Sequence, residues 1–403
     1  MSAIPRIPLG YSGPALFSYG FRPFFLAGAA WAVLALVLWL LQLFGGLPLP
    51  TAFSPLDWHI HEMLYGYVAA IVTGFLLTAI PNWTGRLPVA GAPLAALAAL
   101  WLLGRVAVLL SSHIGLLAAA MIDLLFLLTL AGLCLREIAA GRNWRNLRVL
   151  GALSALLLGN VIFHSEVAIR GAAEYGTRIG IAAAVGLIML MGGRIVPSFT
   201  RNWLARRGPG RLPQPFARFD RGALIIGVAA LVFWVLQPTS ALTGAALVLA
   251  GILHVVRLAR WAGERTLADR LVLILHIGYG FVPAGFLLAG LAAFYPQRLA
   301  ASVGVHAWTA GAIAVMTLAI MTRATLGHTG RKLAASLGTQ AVYAFAVAAA
   351  LLRIAASLVF PGPLLHAAAV AWLAAFGGFL IIYGPMLLQR RLNTAVVSQP
   401  SVR

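Results

Sequence analysis

The strongest constraint on this chain is a series of apolar runs, each long enough to cross a lipid bilayer. A helix needs roughly 20 apolar residues to span ~30 Å of hydrocarbon, and Leu-, Ala- and Val-rich runs of that length recur along the chain. Only 9% of the residues are charged and 62% are hydrophobic, with a mean hydropathy of +0.95. A soluble fold would lack polar side chains to cover its surface. The sequence therefore predicts an all-α polytopic integral membrane protein.

The apolar runs predict about twelve transmembrane helices in one domain covering residues 1–403. The spans are expected near 24–44, 58–81, 92–111, 114–137, 148–167, 176–197, 222–238, 241–260, 270–291, 301–322, 337–359 and 364–388. A short arm at 1–22 precedes the first span, and a loop rich in Arg, Pro and Gly occupies 198–221. Both segments are expected in the cytoplasm.

The basic residues predict the orientation of these spans. When the N-terminus is placed inside, all but five of the 29 Lys and Arg residues fall on one side of the membrane. The five exceptions are Arg105, Arg170, Arg178, Arg298 and Arg353. The positive-inside rule explains such a bias when the number of spans is even. Both termini are therefore predicted in the cytoplasm. The formal charge of +20 follows from the basic residues on that side of the membrane and does not indicate nucleic-acid binding.

The nine histidines are the main functional signal, because ionisable groups at membrane depth usually serve a site. His59 and His61 begin span two, His164 ends span five and His306 begins span ten, all on the predicted outer side. Four imidazoles can thus meet in one layer. A second, weaker pair toward the inner side consists of His276 and His328.

Imidazole nitrogen is a ligand for iron, copper and zinc, so the outer layer predicts a metal or haem site. His59 and His61 lie about 200° apart on a helix of 3.6 residues per turn and cannot both point inward from a regular helix. His59 is therefore expected in an unwound first turn after Pro55, or else Glu62 bonds one of the rings. The absence of a Cys-x-x-Cys-His segment means that any haem would be b-type and non-covalent.

Other polar groups within the spans carry less information. Glu62 and Glu166 share the outer layer with the histidines and are candidate proton donors in catalysis. Asp123 and Arg353 could form a buried pair, part of a proton path or two separately solvated groups. A faint repeat links spans two, six and ten through similar inner-side sequences.

Five strings, spread over most of the chain, together resemble the NnrS family, membrane proteins linked to bacterial nitric oxide metabolism and described as containing haem and copper. They are FSYGFRPFF at 17–25, WHIHEM at 58–63, NWTGR at 82–86, GGRIVPSFT at 192–200, and HAWT at 306–309 leading to MTRATLGHTGR at 321–331. The resemblance implies a bacterial inner membrane protein that contains haem and copper and protects against nitrosative stress.

The matching strings carry four of the histidines, and two others match less closely. The four are His59, His61, His306 and His328, and the two are His164 and His276. Depth in the membrane suggests that His61 and His306 hold haem while His59 and His164 hold copper. As an alternative, His276 and His328 would bind haem near the inner side.

Two functions are weighed. The first is nitric oxide binding, or its reduction to N2O by an oxidoreductase similar to nitric oxide reductase, at a haem–copper site with an external electron donor. Glu62 or Glu166 would then supply protons. The alternative is a twelve-helix secondary transporter that uses buried histidines as proton or substrate sites. A transporter does not need haem, so a haem absorption band in the purified protein would distinguish the two functions.

Overall fold

The computed structural model describes residues 11–359 and 361–392. Among these residues, twelve helices are long and apolar enough to cross a membrane, and no strand occurs. The predicted all-α polytopic architecture is confirmed. The cytoplasmic location of both termini stays a prediction.

The twelve membrane helices follow one another through mostly short connections. They are α1 (Phe21–Phe44), α2 (Pro55–Thr84), α3 (Ala92–Leu109), α4 (Leu116–Ala140), α5 (Trp144–Arg170), α6 (Tyr175–Leu204), α7 (Arg218–Leu236), α8 (Ala241–Ala259), α9 (Arg270–Phe294), α10 (Ser302–His328), α11 (Leu337–Ala356) and α12 (Gly362–Leu388). Three shorter helices lie between or before them, at Ala15–Ser18, Ser111–Ile114 and Gly263–Arg265.

One predicted connection is shorter in the structure than in the sequence reading. Helix α6 continues through Pro197 and ends at Leu204, so the first part of the predicted loop 198–221 is helical. Helix α7 begins at Arg218. The connection between the two helices therefore occupies 205–217.

Helices α2 and α10 form the centre of the bundle, with 83% and 72% of their most apolar windows buried. Each begins with a short α-helical segment and continues as a seven-residue π-helix, Glu62–Val68 in α2 and Ala307–Ile313 in α10. The residue before each π-helix is a histidine, His61 or His306. Helix α6, the third member of the predicted repeat, is α-helical throughout. The π-helix is a rare conformation that often occurs at functional sites.

The start of α2 is well capped. The Ser54 hydroxyl accepts the backbone N–H of Asp57 at 3.1 Å, and Pro55 occupies the first turn, where its missing N–H costs nothing. The expectation that His59 lies in an unwound turn is therefore wrong, because Pro55–His61 is regular α-helix. His59 and His61 consequently project from different sides of this helix.

Candidate metal centre and adjoining cavity

Four helices bring a polar cluster together at the predicted outer end of the bundle. Its members are buried, each between 0% and 5% exposed: His61 and Glu62 of α2, Arg105 of α3, Asp123 of α4, and Asn160 and His164 of α5. We call this set the outer polar cluster. The aromatic rings of Phe53 and Phe163 cover His61.

Arg105 pairs with both carboxylates of the outer polar cluster. Its Nη1 donates to both oxygens of Glu62 at 2.8 and 2.9 Å, and its Nη2 donates to Oδ1 of Asp123. The indole Nε1 of Trp31 donates to Glu62 at 2.6 Å. Buried charges are tolerated only when they are paired and hydrogen-bonded in this way.

His61 is bonded on both sides of its ring. Its Nδ1 lies 3.0 Å from Oε1 of Glu62, and its Nε2 lies 3.1 Å from Oδ1 of Asn160 and 3.3 Å from Oδ2 of Asp123. The amide nitrogen of Asn160 donates to the same Asp123 oxygen at 2.7 Å. The expected bond between Glu62 and one of the rings is therefore present, and the partner is His61.

Three members of the cluster could hold a metal ion. One ligand atom from each of His61, Asp123 and His164 lies within 4.8 Å of the other two, and Nε2 of His164 is 3.1 Å from Oδ2 of Asp123. Two imidazoles and a carboxylate suit Fe²⁺, Zn²⁺ or Cu²⁺. A bound ion would replace the hydrogen on each coordinating nitrogen, while Glu62 would still orient the His61 ring through Nδ1.

On the other side of α2 lies a cavity of about 430 Å³, within the range of roughly 300–1,000 Å³ that is usual for ligand pockets. Most of its wall is apolar, and its aromatic and polar lining comes from Trp39, His59, Tyr67, Thr177, Ser302, His306, Thr309, Arg353 and Trp372. The shape and lining suit a large, mainly apolar ligand with a few polar groups.

The two histidines that line the cavity differ in how their rings are held. The His59 ring stacks on Trp39 with centroids 4.0 Å apart, and its buried Nδ1 has no partner within the described residues. Nδ1 of His306 donates to the carbonyl of Ser302 at 2.7 Å, which leaves the lone pair on its Nε2 for coordination. A histidine held through one nitrogen and free at the other is the usual form of a haem or metal ligand.

The structure thus divides the four outer histidines into two pairs. His59 and His306 line the cavity, whereas His61 and His164 belong to the outer polar cluster. These pairs differ from the prediction based on depth, which assigns His61 and His306 to haem and His59 and His164 to copper. The ligand roles themselves stay predictions.

The two carboxylates predicted to act in catalysis have different surroundings. Glu62 belongs to the outer polar cluster, whereas Glu166 accepts the backbone N–H groups of Glu174, Tyr175 and Gly176 at 2.9–3.0 Å. These contacts place Glu166 as a cap on the first turn of α6, where a negative charge stabilises the helix.

The inner histidines contact different elements. Nε2 of His276 lies 2.8 Å from Oγ1 of Thr200 in α6, while the ring of His328 packs against the rings of Tyr19 and Phe21. No contact within the described residues joins His276 to His328.

Sequence reasoning missed Arg105 and Asn160, and it left the partner of Asp123 open. Asp123 pairs with Arg105, whereas Arg353 lines the cavity and donates to Ser357. Arg105 entered the sequence reading only as an exception to the charge bias. An arginine within an apolar span is itself a signal for a buried acidic partner.

The fold and the site define a polytopic, all-helical membrane protein with a buried histidine–carboxylate centre next to a large apolar cavity. The model of the NnrS protein family matches residues 15–391 of the 403-residue chain. The chain therefore belongs to the NnrS family, and the resemblance seen in the sequence is confirmed. A search of curated proteins finds no significant match.

Proposed function

We propose that this protein binds nitric oxide at a non-covalent haem in the cavity, next to a copper ion in the outer polar cluster, and so protects bacteria against nitrosative stress from the inner membrane. The observation that carries the proposal is the position of a ligand-ready cavity and a metal-capable cluster on two sides of α2. Membership of the NnrS family fits a membrane protein of the nitric oxide response.

The cavity residues fit haem in three respects. His59 and His306 offer nitrogens for the iron, the flat rings of Trp39 and Trp372 offer apolar surface, and the guanidinium of Arg353 would pair with the carboxylate of a propionate. When bound, haem supplies an iron that takes up small ligands such as nitric oxide.

The outer polar cluster fits a second metal. His61, Asp123 and His164 would coordinate it, and the family resemblance favours copper among the ions that suit this donor set. His276 and His328, the predicted inner ligands, have less support, because no contact brings them together.

Nitric oxide is small and apolar, so it partitions into the bilayer and would reach a cavity within the helical bundle. Reduction of two molecules to N2O and water consumes two electrons and two protons, and of the two predicted proton donors Glu62 is the one that contacts a residue of the metal-capable cluster, His61. Production of N2O from nitric oxide with an artificial reductant would test this further activity. The secondary transporter is not favoured, because the family match gives it no support.

The test is the visible spectrum and the iron and copper content of detergent-purified protein. We expect His59→Ala and His306→Ala to lose or shift the haem band while copper remains, and His164→Ala to lose copper while the haem band remains. His113→Ala is the matched control, since His113 is exposed in the outer connection after α3.

Nitric oxide added to the reduced wild type should shift the haem band, and the shift should be absent in His306→Ala. A wild type that carries neither iron nor copper would refute the proposal and make transport the hypothesis to test. Retention of the full band in both cavity variants would instead place haem elsewhere in the chain.

A further inference from the structure

A group of arginines occupies the end of the bundle opposite the outer polar cluster, at the face that the charge bias predicts to be cytoplasmic. Arg22 lies in the first turn of α1, Arg331 follows α10, and Arg391 follows α12. We call these three residues the arginine cluster. Two of the sequence strings that resemble the family, at 17–25 and 321–331, meet here. The proposed function gives these arginines no role.

Arg22 and Arg331 are held by oxygen atoms of the last turn of α12 and of Gln389, which follows it. Arg22 is 3% exposed, and its Nη1 donates to the carbonyls of Leu387 and Gln389 at 2.8 and 2.6 Å. Nη2 of Arg331 donates to the Gln389 amide oxygen at 3.1 Å. Nη1 of Arg331 is buried and has no partner within the described residues.

The ring of His328 lies next to this cluster. It packs against the rings of Tyr19 and Phe21, with centroids 5.6 and 5.4 Å away, and the Arg22 guanidinium lies 5.5 Å from the centroid of the Phe21 ring. Arg22 and Arg331 both bond to Gln389, the first to its carbonyl and the second to its amide oxygen. The Arg391 side chain passes beside Gly330, where an added Cβ would lie 3.4 Å from its Cγ. The three positive side chains therefore lie in one small region.

No carboxylate side chain of the protein offsets this charge. All nine Asp and Glu residues have partners elsewhere in the described structure, namely Asp57 with the backbone of Ala173, Glu62 and Asp123 with Arg105, Glu137 with Arg86 and Arg136, Glu166 with the start of α6, Glu174 with Arg178, Asp220 with Arg257 and Arg260, Glu264 with Arg211, and Asp269 with the start of α9. The undescribed positions 1–10, 360 and 393–403 contain no Asp or Glu.

The nearby phenol does not supply a negative charge either. Burial raises the pKa of Tyr19 to about 12, so this side chain stays neutral at physiological pH. The carbonyls at the end of α12 give partial compensation through the helix dipole, but that effect amounts to about half a charge. A cluster of cations with a buried, unbonded guanidinium nitrogen calls for an anion.

We propose that the arginine cluster binds a phosphate group. Guanidinium groups bind phosphate through paired N–H donors, and several of them together suit its spread of negative charge. The cluster lies where α1 begins and α10 and α12 end, which the predicted topology places at the headgroups of the cytoplasmic leaflet. Basic pockets between membrane helices on the cytoplasmic side bind anionic lipid headgroups. The phosphate therefore comes from an anionic phospholipid or from phosphate in solution.

The experiment measures the thermal unfolding of the detergent-purified full chain after addition of phosphatidylglycerol, phosphatidylcholine or inorganic phosphate at constant ionic strength. We expect phosphatidylglycerol to raise Tm by about 3–5 °C, as for a specific ligand well above its Kd, and phosphatidylcholine to have little effect. Arg331→Gln should lose at least half of the rise. Arg221→Gln, at an exposed arginine on the same face, is the control and should keep it.

A rise with inorganic phosphate at the same ionic strength would identify a soluble phosphate as the ligand, and a rise with phosphatidylglycerol alone would identify a lipid headgroup. Equal responses to both lipids together with no response to phosphate would overturn the proposal, as would a full response in Arg331→Gln. If that variant does not fold, Arg331→Lys keeps the charge but loses the paired donors, and its response should fall between the two. None of these measurements depends on haem, so their failure leaves the proposed function separately testable.

Discussion

The two histidines in the first turns of α2 differ in how their rings are bonded. On one side of the helix, both ring nitrogens of His61 face oxygen atoms of Glu62, Asp123 and Asn160. On the other side, His59 lines an apolar cavity and rests on Trp39, and its buried Nδ1 has no partner within the described residues. Two histidines separated by a single residue therefore have different surroundings. The ion pairs and hydrogen bonds around His61 join four helices, whereas the cavity beside His59 has room for a ligand.

The outer polar cluster should give the largest loss of stability when Arg105 is removed. Arg105→Met would leave Glu62 and Asp123 buried without a counter-charge, which costs about 3–5 kcal/mol in the free energy of unfolding. Reversible unfolding in mixed micelles measures this value. Arg136→Met is the control, because Arg136 pairs with Glu137 at the surface and such pairs contribute about 0–1 kcal/mol. Equal losses in both variants would show that Arg105 does not stabilise the buried carboxylates of the outer polar cluster.

A small residue is also required where α2 faces this cluster. A Cβ at Gly66 would lie 2.7 Å from Nε1 of Trp31 and 2.9 Å from Nη1 of Arg105. We expect Gly66→Ala to cost about 1–3 kcal/mol, because it must displace these donors from Glu62. In the same unfolding assay, Gly151→Ala in α5 should be neutral or slightly stabilising, since nothing lies within 4 Å of its Cβ position and Ala favours helix.

The neighbouring carboxylate Glu166 should behave as a helix cap rather than as a member of the catalytic set. Glu166→Gln keeps the shape of the side chain but removes the charge that faces three backbone N–H groups at the start of α6. The expected loss is about 1 kcal/mol, with the haem band and the copper content unchanged. Glu174→Gln, at an exposed position, should change none of the three. Loss of metal in Glu166→Gln would restore the catalytic interpretation.

The cavity side should show the smallest change in stability. His59→Ala removes a ring that has no hydrogen bond through its Nδ1, so we expect less than about 1 kcal/mol of destabilisation together with loss of the haem band. His61→Ala should cost more than His59→Ala, because it leaves the buried Oδ1 of Asn160 without the ring nitrogen that faces it. The reverse order of the two losses would contradict the distinction between the two sides of α2.

The sequence predicted the helices well because the hydrocarbon core sets both their length and their composition. It also predicted that His59 and His61 would point in different directions, which follows from helical geometry alone. The placement of all four outer histidines in one layer depended only on the span order, and the structure brings them to two adjacent sites in that layer.

The pairing of side chains between helices could not be read from the sequence. Asp123 joins Arg105 rather than Arg353 because α3 packs beside α4, and no periodicity in either helix reveals that contact. Glu166 looked like an outer-layer acid of the same kind as Glu62, since depth alone does not distinguish a carboxylate that caps a helix from one that neutralises an arginine. The regular first turn of α2 depended on the Ser54 cap, which the sequence reading did not consider.

The π-helices that follow His61 and His306 have a consequence for how this family can vary. A π-helical turn arises when a helix accommodates one additional residue, and one residue corresponds to a rotation of about 100° between its two flanks. A deletion within Glu62–Val68 would therefore restore a regular helix without breaking it, but it would turn His59 and His61 away from their present neighbours. Among relatives, single-residue gaps at this position should accompany the loss of the outer histidines, so the length of this segment serves as a marker of the site in sequence alignments.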